Sequence, residues 1–192
     1  SGVPFPTSTM AFSSPCAMTN QNFSIETIFS KTRNKKELFA LATHLNFEKL
    51  LLYGLQKGNK SSWKAAWLVA HLMQKNDAKI IVHLEKIIAA IPQKEDGHQR
   101  QLLIIIASME LNEEQEGRLF QYGVSLWTNI HKIPSTRITA FQLLCKIAKN
   151  HPDLVTEIIL YTGEYYTETL SPGIKKTFQR LKKSLAIQES KF

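Results

Sequence analysis

A basic residue recurs near the start of four successive helix-like segments, at Lys64, Arg100, Arg137 and Lys175, and the intervals are 36, 37 and 38 residues. The register extends beyond the charge. The third residue after each cation (Trp67, Leu103, Ala140, Phe178) and the sixth (Ala70, Ile106, Leu143, Leu181) are apolar or small, as one buried face of a helix requires. Self-similarity at such a period marks a supersecondary unit that cannot bury its apolar face alone and must stack on its neighbours. What lies between two cations has room for a turn and a helix returning to the next unit.

The intervening residues fit that demand. Asn46 caps a stripe of Phe47, Leu50, Leu51, Gly54 and Leu55 that stops at Gly58, and Ser61 or Ser62 caps its partner, which runs to about Met73. Asp77 opens a second pair with Ile80, Ile81, Leu84, Ile87, Ile88 and Ile91 on one wide face; Pro92 stops it, and the partner runs from about Gly97 to Met109. Asn112 and Gln115 form a capping-box signature before Leu119, Phe120, Val124, Trp127 and Ile130, and Pro134 begins the partner helix. A last pair follows the break at Asn150-His151-Pro152, with Pro152 in the first turn, and Ser171-Pro172-Gly173 turns into a helix striped by Ile174, Phe178, Leu181 and Leu185. No strand pattern intervenes. The expected fold is all-α, a right-handed solenoid of about four helix pairs with an N-terminal capping helical segment from Ser24 to about Leu45.

Composition sets the domain plan and excludes several classes. At 192 residues and 43% apolar content the chain can bury a core of one-domain size, expected over residues 24–187. Residues 1–23, rich in Ser, Thr, Pro and Asn with almost no charge, read as a flexible tail; with Met10 and Met18 further in than Ser1, part of it reads as non-native. Residues 188–192 read as a C-terminal tail. The two cysteines, Cys16 and Cys145, give neither a disulfide framework nor a metal site, which suits a reducing, cytoplasmic setting, and no apolar run is long enough to span a membrane. Net charge is +8, with 7 basic against 3 acidic residues in positions 1–60 and 17 against 13 in the remainder. That excess suits a polyanionic partner or simple solubility.

The segments SSWKAAWLVAHLM, GHQRQLLIIIASM and STRITAFQLLCKIAK resemble HEAT-like helical repeats over roughly residues 46–187. Each second helix opens with the basic-x-x-apolar pattern of that class, without the aspartate many such repeats place before the cation. Two narrower resemblances accompany it. One is to HEAT-like alkylpurine DNA glycosylases, whose concave face holds damaged duplex. The other is to short bacterial helical-repeat proteins with Trp-basic-Ala-Ala-Trp and His-Pro-x-Leu blocks, here Trp63–Trp67 and His151–Leu154, sometimes labelled adenylosuccinate lyase. The resemblance implies a scaffold whose concave, second-helix face contacts a macromolecule.

Three candidate surfaces follow from the residues. Helices stacked about 8 to 10 Å apart would set Lys64, Arg100, Arg137 and Lys175 along roughly 30 Å of one edge, where they either follow a phosphate backbone or are compensated internally. A cation in the first turn of a helix opposes the helix dipole, so each needs some partner. Trp63, Trp67 and His71 share one face of a helix and either stack on planar groups or anchor the core. Lys176, Arg180, Lys182 and Lys183, with Lys175, lie opposite the last apolar stripe as a solvated face or an anion patch. Neither a His-Glu-x-x-His, a glycine-rich phosphate loop nor a Gly-x-Ser-x-Gly elbow occurs, and Asp96, Glu110 and Asp153 read as surface carboxylates. The expectation is therefore a non-enzymatic binding protein without cofactor or metal, whose partner is a protein or a nucleic acid.

Overall fold

A computed structural model of the chain describes residues 25–31, 34–42 and 45–189. The expected tail over 1–23, the Ser24 cap and Cys16 lie outside the described residues. The described residues form twelve α-helices and no strand: α1 (Ile25–Lys31), α2 (Lys35–Ala42), α3 (Phe47–Leu55), α4 (Ser62–Leu72), α5 (Ala78–Ile81), α6 (Leu84–Ala90), α7 (Asp96–Ala107), α8 (Glu113–Thr128), α9 (Pro134–Ile147), α10 (Leu154–Leu160), α11 (Glu164–Thr167) and α12 (Pro172–Glu189). A 3-10 turn over Ile91–Gln93 holds Pro92 between α6 and α7.

These helices make an α-solenoid. Within pairs α3 packs on α4, α6 on α7, α8 on α9 and α10 on α12, while the second helices pack in succession, α2 to α4, α4 to α7, α7 to α9 and α9 to α12. One contiguous apolar core runs from Phe29 to Leu185. The periodic apolar positions Leu103, Ala140 and Phe178 are buried, as are Ile106 and Leu143. At the C-terminal end Trp127, Phe141 and Phe178 pack together with centroids 4.6 to 5.3 Å apart, Trp127 stacked on Phe178 and Phe141 tilted against both, closing the last two pairs on a shared aromatic cluster.

Local signals explain most helix starts. Asn46 accepts from the Lys49 N–H, Asp77 from the Lys79 N–H, and Asn112 and Gln115 form the reciprocal capping box. Pro134 occupies the first turn of α9. Four expectations are corrected. Ser61 makes no side-chain cap; Asn59 accepts from the Ser61 N–H instead, and the Ser62 hydroxyl donates to the Asn59 carbonyl. The helix expected across Ile80–Ile91 is divided into α5 and α6, because the His83 N–H donates to Ile80, three residues back, and tightens the turn. Pro152 lies in the turn before α10 rather than in its first turn. Finally, α12 continues through Glu189, past the expected end of the helical region.

Candidate binding surfaces

The periodic cations share a position in the repeat but not an environment. Arg137 is completely buried. Its Nε donates to the Trp127 carbonyl at 3.0 Å, one Nη to the Tyr166 carbonyl at 2.6 Å and the other to the Thr169 hydroxyl at 3.0 Å, and the guanidinium lies 5.0 Å from the Trp127 ring centre. Trp127 and Tyr166 sit in the last turns of α8 and α11, where carbonyls lack intrahelical donors and carry the negative end of the helix dipole. Burial lowers the Arg137 pKa, and the guanidinium stays charged. Lys64 is half-buried and donates to the Phe29 carbonyl of α1 at 2.8 Å. Arg100 is half-buried with an enclosed Nε that has no acceptor, and Lys175 is exposed. The expected row of four surface charges is therefore not one surface, since two of its members are bonded to the protein's own carbonyls.

The same device recurs at residues the sequence reading passed over. Lys94 donates to the Leu55 and Gln56 carbonyls at the end of α3, at 2.9 and 2.6 Å, and Lys146 donates to the Ala107 and Met109 carbonyls at the end of α7. Burial holds both ammonium groups below the usual lysine range, with Lys57's charge adding to the effect at Lys94. Asp96, expected to be a surface carboxylate, accepts from Lys132 at 2.6 Å and from the Ile133 N–H at 2.7 Å in the next repeat. Burial opposes ionisation of Asp96, but those donors outweigh it and its pKa is lowered. Glu110 bonds Asn76, and the buried Glu116 accepts from Asn150 at 2.7 Å and His151 at 2.6 Å. Most of these bonds join residues about one repeat apart, and the spacing of Lys57, Lys94 and Lys132 (37 and 38 residues) was the available signal.

On α4, Trp63 is 45% exposed, whereas Trp67 is half-buried against Phe39 of α2 at 5.3 Å and against the exposed His71 at 4.2 Å. Lys35 lies 5.5 Å over the Trp67 ring. The stripe thus divides, with Trp67 joining the cap to the stack and Trp63 facing outward. On α12, Lys175, Lys176, Arg180 and Lys183 are exposed and Lys182 is half-buried. None of them forms an ion pair among the described residues.

Two clefts open at the edge where first helices turn into second helices. One, of about 790 Å³, lies between the α3–α4 turn and the start of α7 and is lined by Lys60, Trp63, Lys94, Gly97 and His98 among others. The next, of about 590 Å³, shares Gln93, Lys94, Glu95 and Gly97 with it and extends to Lys132 and Ile133. Among the described residues no cluster of His, Cys, Asp or Glu could hold a metal ion, and no helix is long and apolar enough to cross a membrane. Cys145 is a buried thiol whose pKa burial pushes up to about 12.

The family profile of the HEAT repeat domain matches residues 20–185. No curated protein and no solved structure matches the chain. HEAT repeats generally serve as scaffolds for protein interaction. With helix pairs stacked in register over the span that the profile covers, the chain belongs to the HEAT repeat family.

Proposed function

We propose that the chain is a non-enzymatic scaffold that binds a protein partner over the face formed by the second helices α4, α7, α9 and α12. The observation that carries this reading is a contrast within the periodic series. Arg137 and Lys64 are taken up by internal carbonyls, whereas Arg100, midway along the stack, is half-buried and its guanidinium bonds no acceptor among the described residues. A half-buried guanidinium with spare donors suits a partner carboxylate, because a charge-assisted bond at a partly desolvated site is stronger than one in open water. Trp63 and His71 on the neighbouring α4 add exposed planar surface of the kind enriched in interface anchors. A reducing, cytoplasmic setting is part of the proposal, and the free buried thiol of Cys145 suits it.

Photo-cross-linking in cells tests the reading. Probes at Ile104, Gln142 and Gln179 on the second helices should capture a protein, while probes at Leu52, Lys86 and Gln121 on the first helices should not. Capture restricted to the first-helix positions would overturn the assignment.

A second reading, nucleic-acid binding of the kind the glycosylase resemblance implies, is favoured by the unpaired cations on α12. In that case affinity for duplex DNA falls steeply as salt rises and drops on charge reversal at Lys176 and Arg180. Among the described residues no side-chain constellation favours the lyase-type activity.

A further inference from the structure

The two edge clefts share four wall residues and so form one groove running across the turn edge from the α3–α4 turn past the α6–α7 turn toward the α8–α9 turn. Its floor is bare at Gly97, where an added Cβ would meet nothing within 4 Å. One end presents the indole of Trp63, 45% exposed, and the other the side chain of Ile133, 50% exposed, with the exposed Pro92 between them. Charge is distributed unevenly along this groove. The Trp63 end carries exposed Lys60 and the ammonium of Lys94, with exposed Lys57 near enough for its charge to act on Lys94, and Glu95 is the acid lining that cleft. Two of the three N–H donors of Lys94 go to the carbonyls of Leu55 and Gln56, which leaves one. The shared wall carries Lys94 and Glu95, and beyond it the second cleft adds Asp96, already bonded to Lys132.

We propose that this groove captures an extended acidic peptide segment of a partner protein, with carboxylates at Lys60 and Lys94 and an apolar or planar side chain on the Trp63 indole. The pattern of charge distinguishes a peptide from a nucleic acid. A phosphate backbone carries its charge evenly and would meet Glu95 at the shared wall and, beyond it, only Lys132, whose charge Asp96 already takes up. A peptide places acidic residues over the lysines and apolar ones toward Pro92 and Ile133. The groove is pre-formed, so a bound segment loses little to rearrangement of the protein. The inference rests on the reading of the chain as a protein scaffold but assigns it a second surface, the turn edge.

The test uses the full chain. Random short peptides displayed on phage are selected against it, and the dominant sequence is made with a fluorescein label and titrated by fluorescence polarisation. Two variants leave the core untouched: Gly97→Trp fills the open floor, and Lys60→Glu reverses an exposed charge. Enriched peptides should be acidic with at least one apolar or aromatic residue, and each variant should weaken binding by about tenfold or more, a difference of about 1.4 kcal/mol, while keeping the parent melting temperature. No enrichment, enrichment of neutral or basic peptides, or full affinity in Gly97→Trp would overturn the proposal. So would a labelled single-stranded oligonucleotide that binds the parent and is lost in Gly97→Trp, which would assign the groove to nucleic acid. If the peptide arm fails while cross-links at Ile104 and Gln142 persist in Gly97→Trp, the groove is refuted and the scaffold reading stands.

Discussion

Arg137 and Lys175 hold the same place in successive repeats, yet one is sealed against three acceptors and the other faces solvent. The positions of both were legible from spacing alone. Their environments were not, because whether a cation meets a carbonyl depends on where the preceding helix ends, and that is fixed by packing. His98 makes the same point. It reads as one of six scattered histidines, but it is buried and its Nε2–H donates to the Gly54 carbonyl at 2.8 Å. Burial first, and the charge of Lys94 second, lower its pKa to about 4. The unfolded chain therefore binds this proton more tightly than the folded one, so the contribution is complete above about pH 6.5 and is lost as pH falls toward 4, to a total on the order of 3 kcal/mol. Urea midpoints measured from neutral to mildly acidic pH should fall through that window. The fall should be smaller in His98→Gln, which keeps an N–H donor for Gly54; parallel curves for the two proteins would remove His98 from the account.

Helices show where local chemistry decides and where it does not. Asn46, Asn112 with Gln115, and Pro134 could be read from sequence because a cap is satisfied within one turn. The division between α5 and α6 could not, since its apolar spacing suits one unbroken helix and the break at His83 accompanies burial of that ring beside Glu48, 3.3 Å away. Close approach within pairs is set by two glycines. A Cβ on Gly54 would stand 3.1 Å from the Ala66 backbone nitrogen, and one on Gly123 would stand 2.9 Å from the Leu144 side chain, whereas one on Gly117 meets nothing. Gly54→Ala, which meets rigid backbone, should lose about 1–3 kcal/mol by overpacking, and Gly123→Ala, which meets a Leu144 methyl that can shift, should lose less. Gly117→Ala should gain about 0.5–1 kcal/mol from backbone entropy in α8. Denaturant titration of the three variants distinguishes this account from one in which the pairs are loosely packed, where all three would behave alike.

Across the whole molecule, bonds from Lys64, Lys94, Lys132, Arg137 and Lys146 tie one helix pair to another, and the apolar core runs unbroken beneath them. The +8 charge of the chain is thus divided between cations that close the stack and cations left on its surface, among them Lys175, Lys176, Arg180 and Lys183 of α12. Composition reported only the sum. The solenoid itself was legible because its period is written in the apolar positions, while the binding surfaces depend on which cations the stack has already used. That division is the central claim, and equilibrium denaturation of Arg137→Gln beside Lys175→Gln tests it most directly. The first should lose about 3 kcal/mol or more, because it strands the Trp127 and Tyr166 carbonyls in the core, and the second should stay within about 0.5 kcal/mol of the parent. Similar small losses in both would mean that Arg137 is not built into the stack, and the division of cations would be wrong.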